Sequence, residues 1–199
     1  EHFYPSVGGV QKVAQELAVN FSKAGNNITI ATSKHNNLLK VNDIFFDKIK
    51  IKRFAISGNL VRGINGNIDV YQNFLIKNKF DVILLYAAQQ WSFDLVIPII
   101  DKIKSNIFFA PCGFSKLNNY FYKDYFKQLP KNLLKFKSNI LHSKNYMDSI
   151  FLKKHRIYNK IIIPNASDFP INKNNKYLPK DKKNKITRIL NVSNLRFAK

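Results

Sequence analysis

Cysteine is almost absent from this chain. The single residue Cys112 among 199 excludes an internal disulfide and any structural zinc site built from several thiolates, and it suits a reducing compartment. No stretch reaches the roughly eighteen consecutive apolar residues a membrane-crossing helix needs. The opening residues also lack the charged and then apolar pattern of a secretory leader, so a cytoplasmic location is expected. Acid is scarce too: 12 Asp and Glu stand against 33 Lys and Arg, giving a net charge of +21. Such an excess points to an anionic partner, whether nucleic acid, acidic lipid or a phosphorylated substrate. Arginine is nevertheless rare, with 5 against 28 lysines and 25 asparagines, a composition that AT-rich coding also produces. Nucleic-acid readers depend on guanidinium forks, and no recognisable nucleic-acid module accompanies the charge. Nucleic acid is therefore not expected as a partner.

What is present is an alternation of strand-like and helix-like segments. Val10, Val13, Ala14, Leu17, Ala18 and Phe21 recur at the spacing of one helical face, between Gly8-Gly9 and Gly25. Residues 28–32 and 49–56 read as strands and 69–77 as a helix. Residues 81–87 (DVILLYA) form a nearly unbroken apolar run, expected of a strand buried on both faces of a parallel sheet. A helix follows at 93–104, a strand at 106–110 and a long aromatic and lysine-rich helical region at 117–136, which Pro130 should divide in two. A strand at 139–142, a helix at 145–154 and a strand at 160–163 complete the set. This order implies parallel βαβ units in a Rossmann-like, three-layer α/β/α fold with a mostly parallel sheet. The expected organisation is one domain over residues 1–166, a polar linker over 167–185, and at 186–199 the opening strand of a second domain. A helix that starts at a glycine turn normally has a strand feeding it. The first central strand is thus expected to be missing, unless residues 1–6 are its remnant.

In an open parallel sheet, ligands bind beyond the carboxyl ends of the strands. The loops of interest therefore follow Ser6, Tyr86, Ala110, His142 and Ile163. Gly8-Gly9 offers free backbone N–H groups at a helix start, where a phosphate is favoured, although the same pair also serves as a simple turn. Gln89 and Gln90 can hydrogen-bond sugar hydroxyls, and Trp91 either stacks on a sugar or packs in the core. His142 either lines the cleft or packs.

Three segments, in order, resemble retaining glycosyltransferases of the large family four. The run FYPSVGGVQKVAQELAVNFSKAGNNITIATSK at residues 3–34 is similar to the family's proline, Gly-Gly-Val turn, helix and following strand. Ser143-Lys144-Asn145-Tyr146, followed by KIIIPNASD at 160–168, resembles the passage leading out of the N-terminal domain. ILNVSNLRFAK at 189–199 resembles the start of the nucleotide-sugar domain. The resemblance implies the N-terminal, acceptor-side half of a GT-B fold. The implied activity is transfer of a sugar from a nucleotide-diphosphate donor to a saccharide or lipid-linked acceptor in surface glycan synthesis.

By the same resemblance, Gly8, Gly9, Arg196 and Lys199 would bind the donor diphosphate and Asn165 would mark the interdomain crossing. Cys112 and Gly113, with Gln89, Gln90 and Trp91, would bind the acceptor. Cys112 stands where many relatives have a histidine beside the reacting sugar, and it is either a weak stand-in or a small buried residue. The family's usual glycine and arginine fall at Ser193 and Asn194. No cofactor and no metal are expected, and residues 1–199 alone should be inactive. Lys123, Lys127, Lys131 and Lys135, interleaved with Tyr and Phe, form either a solvated lysine face over an ordinary aromatic core or a cationic and aromatic face on an anionic membrane at the inner cell surface. Two alternatives remain at this stage: a different GT-B or Rossmann-type enzyme, and a noncatalytic carbohydrate- or nucleic-acid-binding domain.

Overall fold

A computed structural model describes residues 2–46 and 48–166. Within the compact unit spanning Glu1–Asn165, helix α1 (Gly9–Lys23) leads to strand β1 (Thr29–Ser33). Strand β3 (Ile49–Phe54) pairs parallel to β1 and antiparallel to β2 (Asn42–Phe45), giving a sheet in the order β1-β3-β2. A separate hairpin, β4 (Ile56–Asn59) and β5 (Gly63–Gly66), precedes α2 (Ile68–Lys77). The second sheet is wholly parallel and sequential. It runs β6 (Val82–Tyr86), β7 (Asn106–Ala110), β8 (Ser138–Leu141) and β9 (Lys160–Ile162). Its crossovers are α3 (Trp91–Asp94) with a 3₁₀ turn at Ile97–Lys102, then α4 (Lys123–Leu133), then α5 (Met147–Lys154). This is the expected α/β, Rossmann-like architecture.

One apolar core joins the elements. Phe54, Tyr71 and Trp91 meet edge to face, with ring centroids 5.1 and 4.8 Å apart, while Phe93 stacks on Phe109 at 4.3 Å. Each such fully buried side chain contributes roughly 1.5–3 kcal/mol of burial. Trp91 is completely buried and donates from Nε1 to Ser33 Oγ at 2.8 Å, tying the loop after β6 to the end of β1. Arg53, 2% exposed, donates to Asp43 Oδ2, to the Lys40 carbonyl and to the Tyr4 carbonyl at 3.0, 3.1 and 2.9 Å. A buried guanidinium is tolerable only with such partners, and here it fastens the chain before α1 to the first sheet.

Several expectations are corrected. The run at 81–87 is not buried on both faces, because β6 pairs only with β7 among the described residues and leaves Val82 and Leu84 exposed. Residues 2–6 are not the remnant of a strand. They form a turn in which Phe3 is buried against Phe45. No strand precedes α1 among the described residues, and of the helix's apolar stripe only Ala18 is buried.

The helix expected at 93–104 breaks after Asp94 and resumes as a 3₁₀ turn containing Pro98, whose missing N–H prevents an uninterrupted α-helix. Pro130 does the reverse of what was expected and sits inside one continuous α4. Phe126, Leu129 and Leu133 are buried on that helix, and their packing offsets the lost hydrogen bond. The β4–β5 hairpin was not anticipated. It depends on Gly66 at φ 114°, where any Cβ would sit 1.9 Å from the Ala55 carbonyl oxygen.

Candidate functional site

The carboxyl ends of the parallel strands carry a concentration of unusual backbone. Five non-glycine residues among those described have positive φ, and three of them, Ala87 (69°), Gln89 (60°) and Cys112 (59°), follow β6 and β7 directly. The left-handed region costs a side-chain-bearing residue about 1–2 kcal/mol, and such residues collect where function over-determines the backbone. Ala87 N donates to Ala110 O at 2.8 Å, closing the parallel ladder at the Tyr86–Ala110 pair, and Ala88 N donates to Pro111 O at 3.2 Å, one hydrogen bond that holds the two loops together beyond the ends of their strands. Gly113 N then donates to Asp148 Oδ2 at 2.8 Å, and Asp148 is fully buried at the start of α5. Residues 112–119 with Tyr146 and Met147 line an open groove of about 600 Å³ beside this rim.

Three side chains meet at the rim. His142 Nε2 lies 3.3 Å from Tyr86 Oη and 3.7 Å from Cys112 Sγ, while its Nδ1 lies 3.0 Å from the Ile163 carbonyl oxygen. Burial pushes the Cys112 thiol up to about 11. The sulfur is therefore neutral near pH 7 and is no ready nucleophile. Burial also pushes the Tyr86 phenol upward, with the adjacent Cys112 adding to the effect.

A second network holds the β6 loop from behind. Asp94, 5% exposed, accepts from Leu60 N at 2.8 Å and from Tyr125 Oη at 2.9 Å, and Gln89 N donates to the same phenol oxygen at 3.2 Å. Gln89 Nε2 is a buried donor without a partner.

No protein-family model and no curated protein matches the sequence. Among solved structures, a sucrose-phosphate synthase from Thermosynechococcus elongatus superimposes with a TM-score of 0.63 at 9% identity, over 81% of this chain and 43% of that one. The likeness is one of fold. This chain has an α/β fold of the GT-B type and spans less than half of that neighbour's length.

The anticipated site residues divide into three groups. Cys112 and Gly113 are on the rim, and Gln89 is beside it with its backbone held by Tyr125. Gly9 stands open at the start of α1, while a Cβ at Gly8 would meet the Gln11 side-chain oxygen at 2.4 Å. Gly8 is extended (φ 176°) and a side chain at Gly9 would meet only open space, so the backbone does not itself demand glycine there. Ser6 Oγ lies 3.2 Å from His35 Nε2, which brings this turn to the segment just after β1. Asn165 is exposed two residues beyond Ile163.

Trp91 leaves the acceptor-binding set, since an indole with no exposed surface offers no face to a sugar. Gln90 turns inward as well, its amide donating to the Tyr86 and Ala87 carbonyls and so locking the loop. Lys123, Lys127 and Lys131 are exposed along α4, but Lys135 pairs with Asp101, and Tyr122 and Phe126 face the core. Only Tyr120 and Phe121 leave aromatic surface uncovered at the start of that segment. Arg196 and Lys199 lie outside the described residues.

Sequence reading passed over Tyr86, Tyr125 and Asp148. The signal for Tyr86 was its place as the last residue of a parallel strand. Nothing in the local sequence marked the other two, which reach the site through tertiary packing.

Burial lifts the Asp94 carboxyl from 3.8 to about 6, against the opposing hydrogen bonds from Leu60 and Tyr125. The folded protein therefore holds a proton that the unfolded chain has released between those values. Stability conferred by protonated Asp94 is fully present below about pH 4, falls as pH rises through about 6 and is constant above it, a change of about 2–3 kcal/mol. Urea unfolding from pH 4 to 7 is expected to show this downward slope in the wild type and its loss in Asp94→Asn. Parallel curves for the two proteins would refute the assignment.

Proposed function

We propose that the full-length protein is a retaining glycosyltransferase. It moves a sugar from a nucleotide-diphosphate donor to a saccharide or lipid-linked saccharide during surface glycan synthesis in the cytoplasm. Residues 1–166 are the acceptor-side domain, 167–185 a linker and 186–199 the beginning of the donor-side domain. The observation that carries the reading is the strained rim at Ala87, Gln89 and Cys112, joined by the Ala88 to Pro111 hydrogen bond and set at the carboxyl ends of parallel strands. Ligands bind at that end of open α/β sheets, and the likeness of fold to a sucrose-phosphate synthase supports the chemical class.

In this reading Gly8 and Gly9 present the amides and positive end of α1 to the diphosphate, and Arg196 and Lys199 approach it from the other domain as counter-cations. No metal is required, because those cations offset the leaving-group charge. Gln89, Cys112 and Gly113 border the acceptor. The neutral thiol at Cys112 carries no proton away, so the acceptor proton passes to the departing diphosphate. The exposed Lys123, Lys127 and Lys131 with Tyr120 and Phe121 form the surface that rests on an anionic membrane.

A screen of nucleotide-diphosphate sugars with the full-length protein is expected to find one donor that is consumed with transfer to a saccharide acceptor, while residues 1–199 alone give none. Consumption of no donor, or turnover by the isolated 199 residues, would contradict the reading. Co-sedimentation with vesicles tests the membrane surface separately. Binding should rise with anionic lipid and fall with salt, and equal binding to neutral vesicles would remove that part.

A further inference from the structure

The Cys112 thiol at the rim is a weak hydrogen-bonding group toward a sugar hydroxyl. An imidazole is nevertheless present at the same rim, delivered from the neighbouring strand. His142 follows β8 directly, as Cys112 lies just beyond β7 and Tyr86 ends β6, so three successive parallel strands bring the three side chains together. His142 is partly exposed, and its orientation is fixed by the Ile163 carbonyl 3.0 Å from Nδ1. A carbonyl only accepts, so Nδ1 carries the proton and, in the neutral ring, Nε2 presents a lone pair.

That lone pair is weakly engaged. Tyr86 Oη at 3.3 Å and Cys112 Sγ at 3.7 Å stand at the long end of hydrogen-bond range, and the thiol has a second acceptor in the Ala110 carbonyl at 3.4 Å. A sugar hydroxyl is both donor and acceptor. One placed at this rim can donate to Nε2 and accept from the Tyr86 phenol, replacing one long contact by two of ordinary length.

We propose that His142 is a sugar-contacting residue: its Nε2 accepts a hydrogen bond from a hydroxyl of the carbohydrate held at the rim, and Tyr86 Oη donates to that same hydroxyl. The inference rests on the carbohydrate-transfer reading and adds a residue to it.

Two substitutions separate contact with the ligand from a merely structural role. In His142→Asn the side-chain amide reaches the place of Nδ1 and keeps the bond to the Ile163 carbonyl, but nothing reaches the place of Nε2. In His142→Gln the longer amide reaches the place of Nε2. Steady-state transfer by the full-length protein, with the thermal midpoint of each variant, gives the comparison. The expected result is a loss in kcat/KM of at least about tenfold in His142→Asn with an unchanged midpoint, as for removal of one ligand hydrogen bond, and recovery to within about threefold of wild type in His142→Gln. Recovery by Asn and not by Gln would identify a structural anchor and overturn the proposal, as would full activity in both. Absence of transfer by the wild type with every donor would instead defeat the carbohydrate-transfer reading and this inference with it.

Discussion

The pairing of two loops beyond the ends of β6 and β7 is the constraint on which the site depends. The regular ladder closes with Ala87 N donating to Ala110 O, the bond that belongs to the Tyr86–Ala110 pair, and one further bond, from Ala88 N to Pro111 O, holds the loops together beyond it. The left-handed strain at Ala87, Gln89 and Cys112 lies on either side of that bond. Its cost, about 1–2 kcal/mol per residue, is offset from below by the stacked core of Phe93 and Phe109 and from the sides by Asp94 and Asp148.

Two buried acids act as clamps on opposite sides of that rim. Asp148 fixes the N–H of Gly113 from the start of α5, and Asp94, through Tyr125, fixes that of Gln89. They answer the same physical problem, that amides in strained loops cannot find partners in a regular ladder. The rim supplies a phenol, a thiol and an imidazole, all partly exposed.

The fold was largely legible from the sequence because apolar periodicity reports burial directly. The strand at 106–110 was placed residue for residue, and α1, α2, β8 and β9 to within two residues. What escaped depended on tertiary context. The run DVILLYA reads as a doubly buried strand, yet its place at the edge of its sheet exposes Val82 and Leu84. The hairpin at 56–66 has few apolar residues and is held by glycine geometry, which periodicity does not see. Pro130 carried a breaking signal that the buried face of α4 overrode. For the candidate site, topology pointed to the loops at the strand ends, and Gln89, Cys112 and His142 all lie there. At Trp91 residue type left a sugar platform and a core position open, and the indole closes the core. The link between Cys112 and His142 could not be read along the chain, because thirty positions separate two side chains that only the parallel order of β7 and β8 makes neighbours.

The central claim is that the strained rim at the carboxyl ends of β6, β7 and β8 is where this protein holds its ligand. Amide and ring-nitrogen NMR of the full-length protein, titrated with a panel of nucleotide-diphosphate sugars and saccharides, tests this most directly. The account predicts that shifts concentrate at Ala87, Gln89, Cys112, Gly113 and the His142 ring. Shifts centred instead on the depression at the opposite end of the sheet, around Ile100, Asn106 and Lys137, with the rim silent, would contradict it.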